Sequence, residues 1–201
     1  MPDTGAPYFI PFADPTDLVR DWPALSEDVA EAVADGLDAA GGLVAVKSAI
    51  FTGTRVQSVT AGNNFAVNDL EITHALADAS NKLIISAFFG AAGSSGGTGE
   101  VGIAVHDGTE LIAIADADGS RGRVTAGGRV NATVSNLVVT MPSVTFVHTP
   151  NTTDSKTYTV RAINGRAATA TLFINRRQND SSDSLGNLRA VSSLVIQEVK
   201  V

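Results

Sequence analysis

Three histidines, His74, His106 and His148, are the side chains best suited to proton transfer or metal ligation near neutral pH, and they lie far apart in the chain. No His-x-His or His-x-x-x-His pair exists, so a zinc site inside one chain is not expected. A histidine meeting its copies on a symmetry axis is the one route left to such a site. Asp116-Ala117-Asp118-Gly119-Ser120 resembles the opening of a calcium loop. It lacks the later carboxylates and the terminal Glu that complete one, and Asp with Gly is also what a tight turn needs. Nucleophile chemistry is poorly supplied. The chain has no cysteine and no Gly-x-Ser-x-Gly elbow, so only a Ser paired with a distant His is open. The Gly-rich stretch 90–99 (GAAGSSGGTG) has no Lys at the position a phosphate loop requires and reads as a surface loop. A carboxylate pair for glycoside cleavage is open to any fold. With one Trp and two Tyr, aromatic platforms for a sugar chain are scarce. The expectation is therefore no enzyme, no cofactor and no metal.

The bulk numbers point the same way. The chain has 201 residues, 44% hydrophobic and 17% charged, with 19 Gly. It is long enough for one core and too apolar for a disordered chain. A net charge of −7 argues against phosphate-backbone binding, which needs clustered Lys and Arg, and against anionic membranes. The apolar runs fall well short of the ~18 residues a membrane helix needs. Asp3 and the early prolines stand where a signal peptide would carry a basic region before an apolar run, so none is expected. Without cysteine there is no disulfide framework.

The elements that must position any site fall into two groups. Residues 1–42 form the first, with Pro at 2, 7, 11, 15 and 23, five of the seven in the chain. Residues 1–13 are expected to be extended, with Tyr8, Phe9, Ile10, Pro11 and Phe12 as an apolar docking stretch. Asp14-Pro15 can cap a helix, a second start is open near Trp22-Pro23 or Ser26, and an Ala-rich acidic stretch runs from Ser26 to Asp38. Leu18, Trp22, Leu25 and Val29 recur at helical spacing, with Val33 one turn further, and form a stripe that needs a partner. Neighbouring copies in a three-helix bundle would serve. Gly41-Gly42 ends it.

Residues 43–201 form the second group, a domain read as strands. Val44–Phe51 and Thr54–Thr60 read as a first pair. Further strands are expected at Asp69–Leu76, Lys82–Phe89, Val101–Val105, Glu110–Ala115, Val130–Met141, Val144–Val147, Thr157–Ile163, Ala168–Ile174 and Val191–Val199. Asp107-Gly108 and Asn164-Gly165 are hairpin signals, the second the stronger. Roughly eight to ten short strands without helices between them predict a mainly β antiparallel sandwich, a jelly roll.

Two segments resemble tailed-bacteriophage fibre and virion appendage proteins. One is Pro11-Phe12-Ala13-Asp14-Pro15-Thr16-Asp17 with Trp22-Pro23-Ala24-Leu25-Ser26-Glu27 and its Ala-rich continuation. The other runs through Tyr158-Thr159-Val160-Arg161-Ala162 and Phe173-Ile174-Asn175-Arg176 to the closing Ser193-Leu194-Val195-Ile196-Gln197-Glu198-Val199. It is similar to the terminal knobs of such fibres, although Ile is commoner where Val199 stands. The resemblance implies a tumour-necrosis-factor-like jelly-roll knob, trimeric, in the phage particle. Its N-terminal arm would dock on other virion proteins, and its loops, with 90–99 and 175–190 as candidates, would face a host receptor or polysaccharide. The alternative is a capsid decoration protein stabilising the head.

Overall fold

A computed structural model describes residues 42–95, 99–130, 139–178 and 189–201. Tyr8, Phe9, Ile10, Pro11, Phe12, Leu18, Trp22, Leu25, Val29 and Val33, with the arm and helix they were read into, lie outside the described residues. So does most of the expected strand Val130–Met141. Everything described is strand, turn or irregular backbone, with no helix among the described residues.

Among the described residues, twelve strands are arranged in three antiparallel sheets. The first sheet has the order β1-β12-β4-β9, from Leu43–Phe51, Ser192–Val199, Lys82–Phe88 and Ser143–His148. Its central strands alternate strictly. In β12, Ser192, Leu194, Ile196 and Glu198 are buried and the residues between them are half-buried. That period of two is what a strand with two unlike faces requires. The second sheet has the order β3-β10-β6-β7, from Asn64–His74, Lys156–Asn164, Gly99–His106 and Leu111–Ile112. β8 (Ala126–Val130) pairs with the first half of β6. The third sheet has the order β2-β11-β5, from Arg55–Val59, Ala170–Ile174 and Ala92–Ser94.

One core serves all three sheets. Leu83, Ile85, Leu194 and Ile196 of the first sheet meet Leu70, Ile103 and Val160 of the second and Leu172 and Ile174 of the third. β1 and β12 pack over β3, so the first two sheets face each other. Each fully buried Leu or Ile contributes about 1.5–3 kcal/mol relative to exposure.

Two expected pairings are corrected. β1 and β2 are not partners: β1 pairs with β12 and β2 with β11. Asn164-Gly165 does not turn a hairpin, because β10 and β11 belong to different sheets. A type I′ turn needs positive φ at both central residues, and neither residue has it. Asn164 is instead a buried crossing point. Its side-chain amide donates to the Val59 carbonyl at 2.9 Å and the Ala168 carbonyl at 3.0 Å, and its carbonyl accepts from the Arg166 N–H at 3.1 Å. Asp107-Gly108 does turn as expected, joining β6 to β7 with Gly108 at φ 95°. Two strands escaped the sequence reading, β5 and β8, both rich in Gly and Ala.

Asn175, just past β11, is the counterpart of Asn164. It is fully buried with φ 61°, a conformation Asn tolerates better than most residues. Its amide donates to the carbonyls of Phe51 at 2.7 Å and Gly53 at 3.0 Å, and its side-chain oxygen accepts from the Ser192 hydroxyl at 2.5 Å. One side chain thus ties the end of β1 to the starts of β2 and β12. Asn175→Ala leaves those carbonyls and the hydroxyl unpaired in the interior and adds left-handed strain. The expected loss is about 3 kcal/mol of stability, read as a lower denaturation midpoint. Asn175→Gly, which relieves the strain alone, recovers only the smaller part.

Candidate interaction surface

The two large sheets present unlike outer faces. In the second sheet, the outer positions of β3 and β10 carry paired polar groups, Thr159 among them buried. The Thr73 and Thr157 hydroxyls lie 3.0 Å apart, Thr159 donates to the Glu71 carboxylate at 3.0 Å, and Arg161 donates to the Asn64 side-chain oxygen at 3.0 Å. The first sheet differs. Registers place Leu43, Val46 and Ile50 of β1 opposite Val199, Gln197 and Ser193 of β12, on the side away from the core. β4 continues that side with Ile84, Ser86 and Phe88, and β9 with Val147, Thr145 and Ser143. Leu43 is 59% exposed, Val46 54%, Ile50 63% and Val147 61%. The polar members are mostly hydroxyls, and Ser86 and Thr145 bond each other at 3.0 Å. Lys82, opposite Val199, is the single charge on this face. A four-stranded face of this composition exceeds the scattered apolar exposure ordinary in a solvated sheet.

Beneath that sheet lies a buried carboxylate. Glu198, 1% exposed, accepts from the Asn81 amide at 2.6 Å and the Ala77 N–H at 2.8 Å, and its other oxygen meets His74 Nε2 at 2.8 Å. Burial raises its pKa, and the donors from Asn81, Ala77 and His74 outweigh that and hold it below the ordinary glutamate value. His74 Nδ1 and the Asn81 side-chain oxygen are buried with no partner among the described residues. The period of two in β12 is what puts Glu198 on the core side, where it meets His74 Nε2.

The other two histidines sit elsewhere. His106 Nδ1 accepts from the Gly108 N–H at 3.0 Å, and burial followed by the Arg161 charge pushes it down. His148 lies edge-on to Tyr158, ring centres 5.8 Å apart, and burial pushes its pKa down. Burial, with the Asp107 charge, pushes the Tyr158 hydroxyl up to about 12. Asp107 anchors the β6–β7 turn. Its carboxylate takes the N–H groups of Thr109 and Glu110, both at 3.0 Å, and Lys156 Nζ at 2.5 Å. These donors overcome desolvation and hold it far below the usual carboxylate range. No three His, Asp or Glu side chains are grouped to hold a metal among the described residues. Asp118 closes a turn, accepting the Arg121 N–H at 3.3 Å and pairing with its guanidinium. An open cleft near Asn164 is lined by Glu100, Arg121 and Arg166, with Glu100 its one carboxylate. Of the loops read as receptor-facing, 90–95, 99, 175–178 and 189–190 are described. The surface-loop expectation for 90–99 is corrected at 91–94, which are buried and hold strand β5 (Ala92–Ser94), and Arg166 donates to the Ser95 carbonyl.

No family model matches this chain, and no curated protein matches it. Among solved structures, a chain in the structure of infectious bursal disease virus Gx strain is similar at 12% identity and a TM-score of 0.38. The match covers 79% of this chain and 41% of that one, so this chain spans less than half that chain's length.

Glu198 yields a pH prediction. Its unfolded-state pKa lies above its folded one, so its contribution to stability is fully present above the unfolded glutamate value of about 4.3. That contribution is lost as pH falls toward the folded value. Denaturant unfolding measured between neutral pH and pH ~3 should show a stability slope that is shallower in Glu198→Gln than in the natural protein. Parallel slopes in the two proteins would contradict the assignment.

Proposed function

We propose that this chain is a non-enzymatic structural subunit of a virion, a trimeric bacteriophage appendage in the tail, collar or head. In this reading its β domain is a jelly-roll-like knob and its N-terminal arm an attachment segment. The observation that carries the reading is a division of the chain into two unlike parts. Residues 1–41 hold nine of the 21 carboxylates and one of the 14 Lys and Arg, a net −8. Residues 42–201 hold the other 12 and 13, a net +1. Five of the seven prolines and the stretch Tyr8–Phe12 also fall in the first part. An acidic, Pro-rich arm joined through Gly41-Gly42 to a β module suits a protein that attaches by one end and presents the other.

The described polar side chains support a structural role. Four of the buried ones, Asn164, Asn175, Glu198 and Asp107, are spent on holding strands and turns together. Partners in this reading are copies of the chain, other virion proteins through Tyr8–Phe12, and a host receptor or polysaccharide. Three weak contacts acting together would give such a trimer avidity.

The test is the mass of the full chain in solution by size exclusion with light scattering. Three chains per particle are expected. A monomer at all concentrations would remove the self-assembling appendage.

A further inference from the structure

We propose that the outer face of the first sheet is the docking floor for this chain's own residues 14–40, seated through the stripe Leu18, Trp22, Leu25, Val29 and Val33. An apolar sheet face is stabilised by a covering layer, and a helix laid across it is one of the few stable solutions. The occupant follows from where the chain leads. Residues 1–41 run directly into β1, whose first residue, Leu43, is itself on that face opposite Val199. The junction is held at its rim: the Lys200 N–H donates to the Gly42 carbonyl at 3.0 Å. Gly41-Gly42 lets the backbone reverse there onto the sheet.

Dimensions agree. As a helix begun at Pro23, the stretch to Asp38 would span about 23 Å, with Leu18 and Trp22 on the turn before it. β1, with nine residues, runs about 30 Å, and four strands place the outer two about 14 Å apart. One helix of about 10 Å diameter therefore covers most of the face. Charge agrees as well. The stripe is uncharged while its segment is strongly acidic, so seating it leaves the carboxylates toward water. Lys82, at the end of the face where the segment enters, lies where a helix C-terminus favours a cation. A helix that is marginal alone thus acquires its partner within its own chain. The inference stands apart from the appendage reading, since docking within one chain is independent of how many chains associate.

Trp22 is the only tryptophan, so its fluorescence reports the docking in the intact chain. The expected result is a blue-shifted emission with weak acrylamide quenching. Val46→Asp and Val147→Asp, each on the face, should shift the emission to the red and raise quenching severalfold while far-UV circular dichroism keeps its strand signal. Val56→Asp, on the exposed side of the third sheet, should change neither. Should the Asp variants unfold, Val46→Ser and Val147→Ser read the same shift. Three outcomes overturn the proposal: a Trp22 already quenched as freely as in water; a shielded Trp22 unmoved by both face variants, as a bundle of stripes would give; or a face variant that lowers the mass in light scattering without moving Trp22, which would put a second copy on the face. Light scattering on the natural chain separately tests the trimer.

Discussion

A carboxylate taken out of water must be surrounded by donors, or it costs several kcal/mol. Glu198 meets that condition at the end of β12, the central strand of the first sheet. Its donors come from His74 at the end of β3 and from Ala77 and Asn81 in the β3–β4 connection. One buried charge therefore fixes the last strand of the chain to the second sheet and to the loop leading into β4. Asn175 repeats the device with a neutral amide at the opposite end of β12, through Ser192. The register of β12 is pinned at both ends by polar contacts and between them by Leu194 and Ile196 in the core. A slip by one residue would turn all of these outward at once.

That register decides what the first sheet shows to the outside. With Glu198, Ile196, Leu194 and Ser192 inward, Val199, Gln197, Val195 and Ser193 must point away from the core. The neighbouring strands, held in register, add Val46, Ile50, Ile84, Phe88 and Val147 to the same side. The second sheet spends its outer positions on paired polar groups such as Glu71 with Thr159 and Arg161 with Asn64. The asymmetry between the faces is thus tied to one strand's alignment, and the need for a cover follows from it.

Turn chemistry was the less dependable guide. Asp107-Gly108 turns as its residues predict, because local groups close it: the Asp107 side chain takes the N–H groups of Thr109 and Glu110, and Gly108 supplies the positive φ. Asn164-Gly165 carries the stronger signal and does something else. Its amide is claimed by carbonyls more than a hundred residues away in the chain, at Val59 and Thr60, which no local rule can anticipate. β8 was missed for a similar reason. Gly127 and Gly128 look like breakers, but a side chain at Gly128 would collide with Thr140, so the glycine is there for a close approach.

The sequence by itself determined the mainly antiparallel β character of the second part, most strand positions, the Asp107-Gly108 turn and the contrast between the acidic first 41 residues and the rest. These are local properties: a period of two, a residue that tolerates positive φ, a sum of charges. Tertiary structure alone decided which strands pair, that Asn164 and Asn175 are crossing points, that Glu198 and His74 meet, and that one sheet keeps an apolar outer face. Each of these joins groups distant in the chain, and their meeting depends on burial and register, which are set only when the core closes.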